Sequence, residues 1–400
     1  VGAASGLRLV IAGGGTGGHL YPGIAVGEVA QARLAAKILF VGGARLEARV
    51  LGPAGWPFVR VASRPLPRRV GPAALWSLAV NAAGMLQALY RLRRFAPDAV
   101  LATGGYASAP VGLAALLLRI PLVLQEQNMI PGLVNTWLAR WARAISVPAQ
   151  MPGFPPGRTV VTGVPVRPSV LRGERDRARH TFGLAPDRFT VLVLGGSQGA
   201  MSLNRAVGEA ATLMMYEPIQ ILHQTGGEHL EWVRREIGHR EHVGPPAIRH
   251  IPLAFVEQMG DAYAAADLVV CRAGASTLAE VTAWGLPAIV VPYPHAAGGH
   301  QDANASRLAA AGAAEVIPDA ELSGLRLQEH IRRLAHDRVL LRAMAEASRR
   351  LGRPAAAARV LDLLLAAAGR SPIEPPAPSG PPRSSGGRSG QALGTTRTPG

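Results

Sequence analysis

Seven consecutive residues, Gly13-Gly14-Gly15-Thr16-Gly17-Gly18-His19, combine two kinds of chemistry. They follow an apolar run over residues 7–12 and precede residues 20–26, which read as a helix. A strand, a glycine turn and a helix start make an anion-binding unit. Backbone N–H groups at the helix start face the ligand, and glycine lets it approach closely. The turn ends in histidine, a general base whose ordinary pKa is near neutrality, beside that anion. A dinucleotide site has no need of a base there, so group transfer is the better reading.

Further polar clusters stand at the ends of other apolar runs. Thr103-Gly104-Gly105-Tyr106-Ala107-Ser108 follows residues 99–102 and opens a helix, so two glycine turns in one sheet can share one diphosphate. Gln125-Glu126-Gln127-Asn128 follows residues 122–124, where Glu126 can orient His19 or accept a sugar hydroxyl. In the second half, Gly195-Gly196-Ser197-Gln198-Gly199-Ala200 repeats the glycine-turn plan. Arg272 to Glu280 supplies Ser276 and Thr277 as helix caps and Glu280 as a carboxylate for a ribose diol. His295, His300 and Gln301 follow another strand, and amides and imidazoles suit sugar hydroxyls because they both donate and accept.

The elements that must position these groups are short runs that are apolar on both faces, as in buried parallel strands. They fall at 7–12, 37–41, 99–102, 122–124 and 159–162, then at 190–194, 219–223, 267–271 and 288–291. Helical stretches separate them, which predicts α/β, doubly wound sheets. The pattern restarts near residue 190, so two Rossmann-like domains are expected, joined near residues 163–168, with a ligand cleft between them. The expected division is residues 1–165, 166–345, a C-terminal helical segment at 346–370, and a disordered tail at 371–400 rich in Pro, Gly, Ser and Thr.

Net charge is +16 over 400 residues and is unevenly spread. Residues 1–165 carry 16 basic residues against four acidic ones, and the remainder 26 against 22. A basic first domain faces a polyanion, either nucleic acid or an anionic membrane. One cysteine, Cys271, allows no internal disulfide, and no metal-ligand spacing of Cys, His, Asp or Glu is present. No secretory signal is visible, and the apolar stretch at 111–124 is broken by Arg119 and Pro121, so a soluble or peripheral protein is expected. Residues 72–95 read as a helix with Leu75, Trp76, Leu78, Met85, Leu86, Leu89 and Leu92 at helical spacing. Most of that stripe is expected to face the core. The Trp76 end, near Arg64, Arg68 and Arg69, suits a membrane interface.

Taken in order, GGGTGGH, TGGYASAP, QEQN, VTGVPVR, GGSQGA, CRAGASTLAE and HQDANA strongly resemble the motifs of the MurG-type N-acetylglucosaminyltransferases of bacterial peptidoglycan synthesis. The resemblance covers roughly residues 7–365. It implies a GT-B fold, and inverting transfer of GlcNAc from UDP-GlcNAc to the C4 hydroxyl of MurNAc in undecaprenyl-diphospho-MurNAc-pentapeptide (lipid I), giving lipid II. By resemblance, His19 and Glu126 are the candidate catalytic pair, with His19 as base. Thr16, Gly17, Gly18, Asn128, Arg167, Ser197, Val256, Arg272, Glu280, His300 and Gln301 match UDP-GlcNAc positions, with Glu280 on the ribose and the Val256 backbone at uracil. The loops around Thr16 and Gly104-Gly105-Tyr106, together with Glu126 and Asn128, match the acceptor side, and Asn204 matches a functional Asn. No cofactor or metal is implied. The implied partners are lipid I, an anionic membrane surface and other cell-wall synthesis proteins, not nucleic acid. The implied place is the cytoplasmic face of the inner membrane, held peripherally. Two positions depart from the family: Gln125 stands where His is usual and Val164 where Asn is usual.

Three other classes compete. A nicotinamide oxidoreductase needs an acid about 20 positions after the glycine turn, yet none follows the second strand until Glu47. A glycerolipid glycosyltransferase shares the fold and differs in acceptor. A membrane scaffold would bind lipid without turnover, and the intact donor motifs speak against it.

Overall fold

The computed structural model describes residues 6–43, 46–65, 71–241 and 247–371. The expected disordered tail lies, but for Ser371, outside the described residues, as do Arg68 and Arg69.

The first half runs β1 (Arg8–Ala12), α1 (Gly17–Leu34), β2 (Lys37–Gly42), α2 (Leu46–Leu51), β3 (Phe58–Arg60), α3 (Pro72–Phe95), β4 (Ala99–Ala102), α4 (Ser108–Leu117), β5 (Leu122–Gln125), α5 (Leu133–Leu138), β6 (Ala144–Val147) and β7 (Thr159–Val161). These strands form one parallel sheet in the order β3-β2-β1-β4-β5-β6-β7.

The second half runs α6 (Arg175–Thr181), β8 (Phe189–Leu194), α7 (Met201–Leu213), β9 (Ile219–Gln224), α8 (Leu230–Glu241), β10 (Arg249–Leu253), α9 (Met259–Ala265), β11 (Leu268–Arg272), α10 (Ala275–Trp284), β12 (Ala288–Val291), α11 (His300–Ala310), β13 (Ala314–Val316), α12 (Gly324–His336), α13 (Arg338–Leu351) and α14 (Ala356–Ala367). Its parallel sheet has the order β10-β9-β8-β11-β12-β13, which repeats the plan of the first.

In each sheet the order reverses beside the first strand, between β1 and β4 and between β8 and β11. Such a switch point opens a crevice at the carboxyl ends of the strands. The turns after β1, β4, β8 and β11 are the glycine-rich and small-residue turns singled out in the sequence. Four strands escaped the sequence reading. Three of them, β3, β10 and β13, are sheet edges, and the fourth, β6, has four residues. The β10 sequence, RHIPL, includes Pro252, which an edge strand tolerates because one side needs no N–H.

One face of the first sheet packs under α3, α4 and α5, and the other under α1 and α14. Val360, Leu361, Leu364 and Leu365 of α14 are buried against Leu9, Ile11, Ile24 and Leu101. Residues 346–370 are therefore divided. The end of α13 packs on α10 in the second domain, and α14 crosses back to complete the first. Gly352 and Pro354 break the helical run, and a Cβ at Gly352 would lie 2.4 Å from the Thr282 carbonyl.

Helix α3 differs from expectation. Ser77, Gly84, Ala88 and Leu92 form its buried strip, while Leu75 (68% exposed), Trp76 (60%), Leu86 (65%) and Tyr90 (58%) face outward. At 100° per residue these four outward residues span about 100° of arc. Of the expected stripe, Leu75, Trp76, Leu78 and Leu86 thus face solvent while Met85, Leu89 and Leu92 pack on the core, because the small residues Ser77, Gly84 and Ala88 let that side settle on the domain. On α5 and the turn after it, Leu133, Trp137 and Trp141 are exposed as well, with Arg140 stacked on Trp141. Among the described residues α3 is the helix long and apolar enough to cross a membrane, yet its buried strip docks it along the domain.

Candidate active site

The turn after β1 enters α1 through Gly14 and Gly15, both at positive φ. It wraps a buried carboxylate. Glu47 Oε1 accepts from Gly15 N at 2.9 Å and from Gly43 N at 3.1 Å, and a Cβ on Gly14 would lie 1.7 Å from that oxygen. One turn amide expected to face an anion is therefore committed to Glu47. The sequence reading missed this role, whose only signal was an acid at the start of α2. The amides left for an anion include those of Gly17 and Gly18, in a first helical turn that Thr16 does not cap. Thr16 Oγ1 instead lies 2.8 Å from His19 Nδ1.

The turn after β4 closes against the first. Thr103 N and Ser108 Oγ donate to the Ala12 carbonyl at 2.8 and 2.9 Å. Gly104 and Gly105 have positive φ, and a Cβ on Gly104 would come within 2.9 Å of His19 Cδ2, one on Gly105 within 2.5 Å of the Gly14 carbonyl. Only glycine permits this contact of two turns with His19 in their seam. Tyr106 stands exposed beside it. Burial holds the His19 imidazole below its ordinary pKa of 6.5; the Glu126 charge opposes that, and His300 reinforces it. His19 is thus a neutral base at pH 7.

Glu126 does not hydrogen-bond to His19. It is buried, and its Oε1 accepts from the backbone N–H groups of Gln127 (3.1 Å) and Asn128 (3.0 Å), its Oε2 from Gly132 N (3.0 Å) and Asn135 Nδ2 (2.9 Å). These four bonds occupy a carboxylate's acceptor sites. The expected orienting contact with His19 is thus absent: Glu126 organises the loop after β5 and acts on His19 through its charge. Gln125 is fully buried, and neither amide atom has a hydrogen-bond partner among the described residues.

Asn128 joins the domains. Its Oδ1 accepts from Asn304 Nδ2 at 3.2 Å, while Asn304 Oδ1 accepts from Met129 N at 3.0 Å and Asn304 Nδ2 also donates to the Ala273 carbonyl. Asn304 sat in the HQDANA motif with no assigned role, since its partners Met129 and Asn128 lie 175 and 176 residues away. Nearby, Gln127, Gly163, Val164, Arg307 and Arg353 line a small interdomain cavity of about 40 Å³.

Across the cleft, Ser197 is exposed on the turn after β8. Asn204 lies behind that turn, buried, donating to the Thr225 carbonyl and bonded to His223 at 3.0 Å. Val256 N–H is committed to Gln224 Oε1 at 2.9 Å, so its carbonyl is the backbone group left for a base. The Arg272 guanidinium pairs with Asp319 at 2.6 Å, binds Ser202 Oγ at 2.7 Å and lies over the Tyr293 ring, so it ties β11 to α7 at the donor side. Ser276 and Thr277 do not cap α10, because the helix starts at Ala275 with Gly274 as N-cap and both lie inside its first turn. Gln301 Oε1 accepts from Tyr293 N at 2.9 Å, which leaves its NH₂ free to donate, and His300 Nδ1 is held by the Ala297 carbonyl.

Arg167, in the interdomain linker, stacks on Tyr21 of α1 at 4.7 Å and supplies the positive charge felt by Glu28 and Glu280. Glu280 Oε2 accepts from Tyr263 Oη at 2.8 Å. Burial pushes the Glu280 carboxyl up to about 7, while the Tyr263 hydrogen bond and Arg167 pull the other way.

The structure therefore gathers His19, Gly17, Gly18, Gly104, Gly105 and Tyr106 on one wall of the cleft. Ser197, Val256, Glu280, His300 and Gln301 stand on the other, with Arg167 of the linker between Tyr21 and Glu280.

Known proteins share this fold and its two domains. Residues 9–147 match the glycosyltransferase family 28 N-terminal domain and residues 190–360 its C-terminal domain. A UDP-N-acetylglucosamine–N-acetylmuramyl-(pentapeptide) pyrophosphoryl-undecaprenol N-acetylglucosamine transferase from Geobacter sulfurreducens is 42% identical over 369 residues, covering 90% of this chain and 98% of its own. Its counterpart from Moorella thermoacetica is 40% identical over 366 residues, with the same coverage. The crystal structure of Acinetobacter baumannii MurG superposes with a TM-score of 0.71 at 30% identity, over 90% of this chain and 99% of that one. The calicheamicin glycosyltransferase CalG4, 20% identical with a TM-score of 0.63, over 93% of this chain and all of its own, shares the fold. With both family domains matched in order and relatives aligned along nearly their full length, the chain belongs to glycosyltransferase family 28 and, within it, to the MurG family.

Proposed function

We propose that this chain moves GlcNAc from UDP-GlcNAc to the C4 hydroxyl of MurNAc in lipid I, forming lipid II, with His19 as general base. The attacking oxygen bonds to the anomeric carbon on the face opposite UDP, and its proton passes to His19 Nε2. The anomeric C–O bond breaks, and its electron pair leaves on the UDP β-phosphate, giving inversion. The observation that carries this reading is the seam of two glycine turns, where His19 is fixed through Nδ1 and keeps Nε2 without a hydrogen-bond partner among the described residues. The Gly17 and Gly18 amides suit the acceptor diphosphate on the same wall. On the donor side, Glu280 suits the ribose, the Val256 carbonyl the uracil N–H, and Arg167 with the turn at Ser197 the charge developing on UDP.

The outward residues Leu75, Trp76, Leu86 and Tyr90, with Arg91, Arg93 and Arg94 at the end of the same helix, suit peripheral docking on an anionic leaflet, where a lipid acceptor resides. Transfer of labelled GlcNAc to a short-chain lipid I analogue, beside a glycerolipid acceptor, tests the assignment. Turnover on lipid I alone is expected, and turnover on the glycerolipid alone would replace this acceptor.

A further inference from the structure

Glu280 has one hydrogen-bond partner among the described residues, and that partner is not a solvent-facing group. Tyr263, on α9, is the largest fully buried side chain, 1% exposed. Its hydroxyl ends 2.8 Å from Glu280 Oε2, on α10. A buried phenol can donate one hydrogen bond, and an unmade one is costly. Here that single donor is spent on a carboxylate, leaving Glu280 Oε1 open. The other titratable or charged groups acting on this pair are the Arg167 guanidinium from the linker and the buried Cys271 thiol from β11, which burial pushes up to about 12 and so keeps neutral.

We propose that Tyr263 is a positioning residue for nucleotide binding, holding Glu280 by one oxygen so that the other is presented, ionised, to a vicinal diol. The proposal rests on the reading of Glu280 as the ribose ligand. The phenol does two things at once. It fixes the carboxylate's rotation, because Oε2 is tied to a ring that cannot move in a packed interior. It also favours the ionised form, since a donated hydrogen bond stabilises the carboxylate against the burial that raises its pKa. An ionised carboxylate can accept from both ribose hydroxyls. A protonated one must turn a donor toward one of them.

Dissociation constants for UDP, measured by calorimetry from pH 6 to 9, test this on the full chain. The proteins are the parent, Tyr263→Phe, Glu280→Gln and the double variant. Phenylalanine keeps the ring volume, and thermal unfolding checks the fold. Glu280→Gln is expected to weaken UDP about tenfold or more at pH 8, as for loss of hydrogen bonds to a charged group. Tyr263→Phe is expected to weaken UDP several-fold at pH 7 and to recover much of that loss by pH 9, its acid limb shifted upward. In the Glu280→Gln background the same change is expected to have no effect. A Tyr263→Phe loss that is independent of pH and persists in that background would mean the ring only packs, and would overturn the proposal. Parent-like UDP binding by Glu280→Gln would instead remove Glu280 from the ribose, and the proposal with it. The two failures are told apart by that single variant.

Discussion

Thr16 and His19 are joined by a 2.8 Å hydrogen bond between Oγ1 and Nδ1, one turn apart at the start of α1. When Nδ1–H donates to the hydroxyl, the lone pair lies on Nε2, the nitrogen beside Gly104. His19→Ala is expected to lower kcat by about 10²–10⁴ with UDP affinity nearly unchanged. Thr16→Val is expected to lower kcat by a smaller factor, because the base remains and only its tautomer is released. Steady-state transfer rates alongside UDP calorimetry check both.

Two ionisable groups of the cleft, His19 and Glu280, separate in pH. His19 lies below 6.5 and Glu280 at about 7. With both substrates saturating, kcat is expected to hold its plateau below pH 6.5. The acid limb of kcat/KM for UDP-GlcNAc is expected near pH 7. Coincident limbs in the two profiles would contradict the assignment.

Glu280 also costs stability. Its folded pKa is raised above the ordinary 4.5, so between pH 4.5 and 7 the folded chain holds a proton that the unfolded chain has released. Stability contributed by the neutral form is therefore lost as pH rises through that window, and the cost is complete above pH 7. Glu280→Gln is expected to raise Tm at pH 8, with the gain vanishing below pH 4.5. Differential scanning calorimetry at the two pH values reads it directly.

Asn304 fastens the domains through Met129 and Asn128 of the first, while its bond to the Ala273 carbonyl stays within the second. Asn304→Ala leaves those buried groups unpaired and is expected to cost about 1–3 kcal/mol. Since the bonds cross the cleft, KM for both substrates is expected to rise together. Denaturant unfolding and kinetics on the same preparation test it.

Trp76 and Leu86 cover no core. The pair Trp76→Ser and Leu86→Ser is expected to weaken sedimentation with anionic vesicles by tenfold or more, the loss from removing about 1.5–3 kcal/mol of burial per side chain. Transfer to a water-soluble short-chain acceptor is expected to stay unchanged.

Much of this protein was legible in its sequence because local rules govern it. Apolar runs without polar faces predict buried parallel strands, glycine turns after them predict the starts of helices at the cleft, and the restart near residue 190 predicts a second domain. These features depend on neighbours a few residues apart. What the tertiary structure decided depends on partners far along the chain. Thr103 and Ser108 meet Ala12 across 91 and 96 residues because the sheet order places β4 beside β1. Helix α14 returns to the first domain because its apolar face completes that core. Arg272 found Asp319 some 47 residues away, and Glu126 was available to His19 until four donors filled its oxygens. A polar side chain's role is set by which partners reach it first. The sequence establishes the residue types and the turns that carry them, whereas those partners are established only when the sheets close.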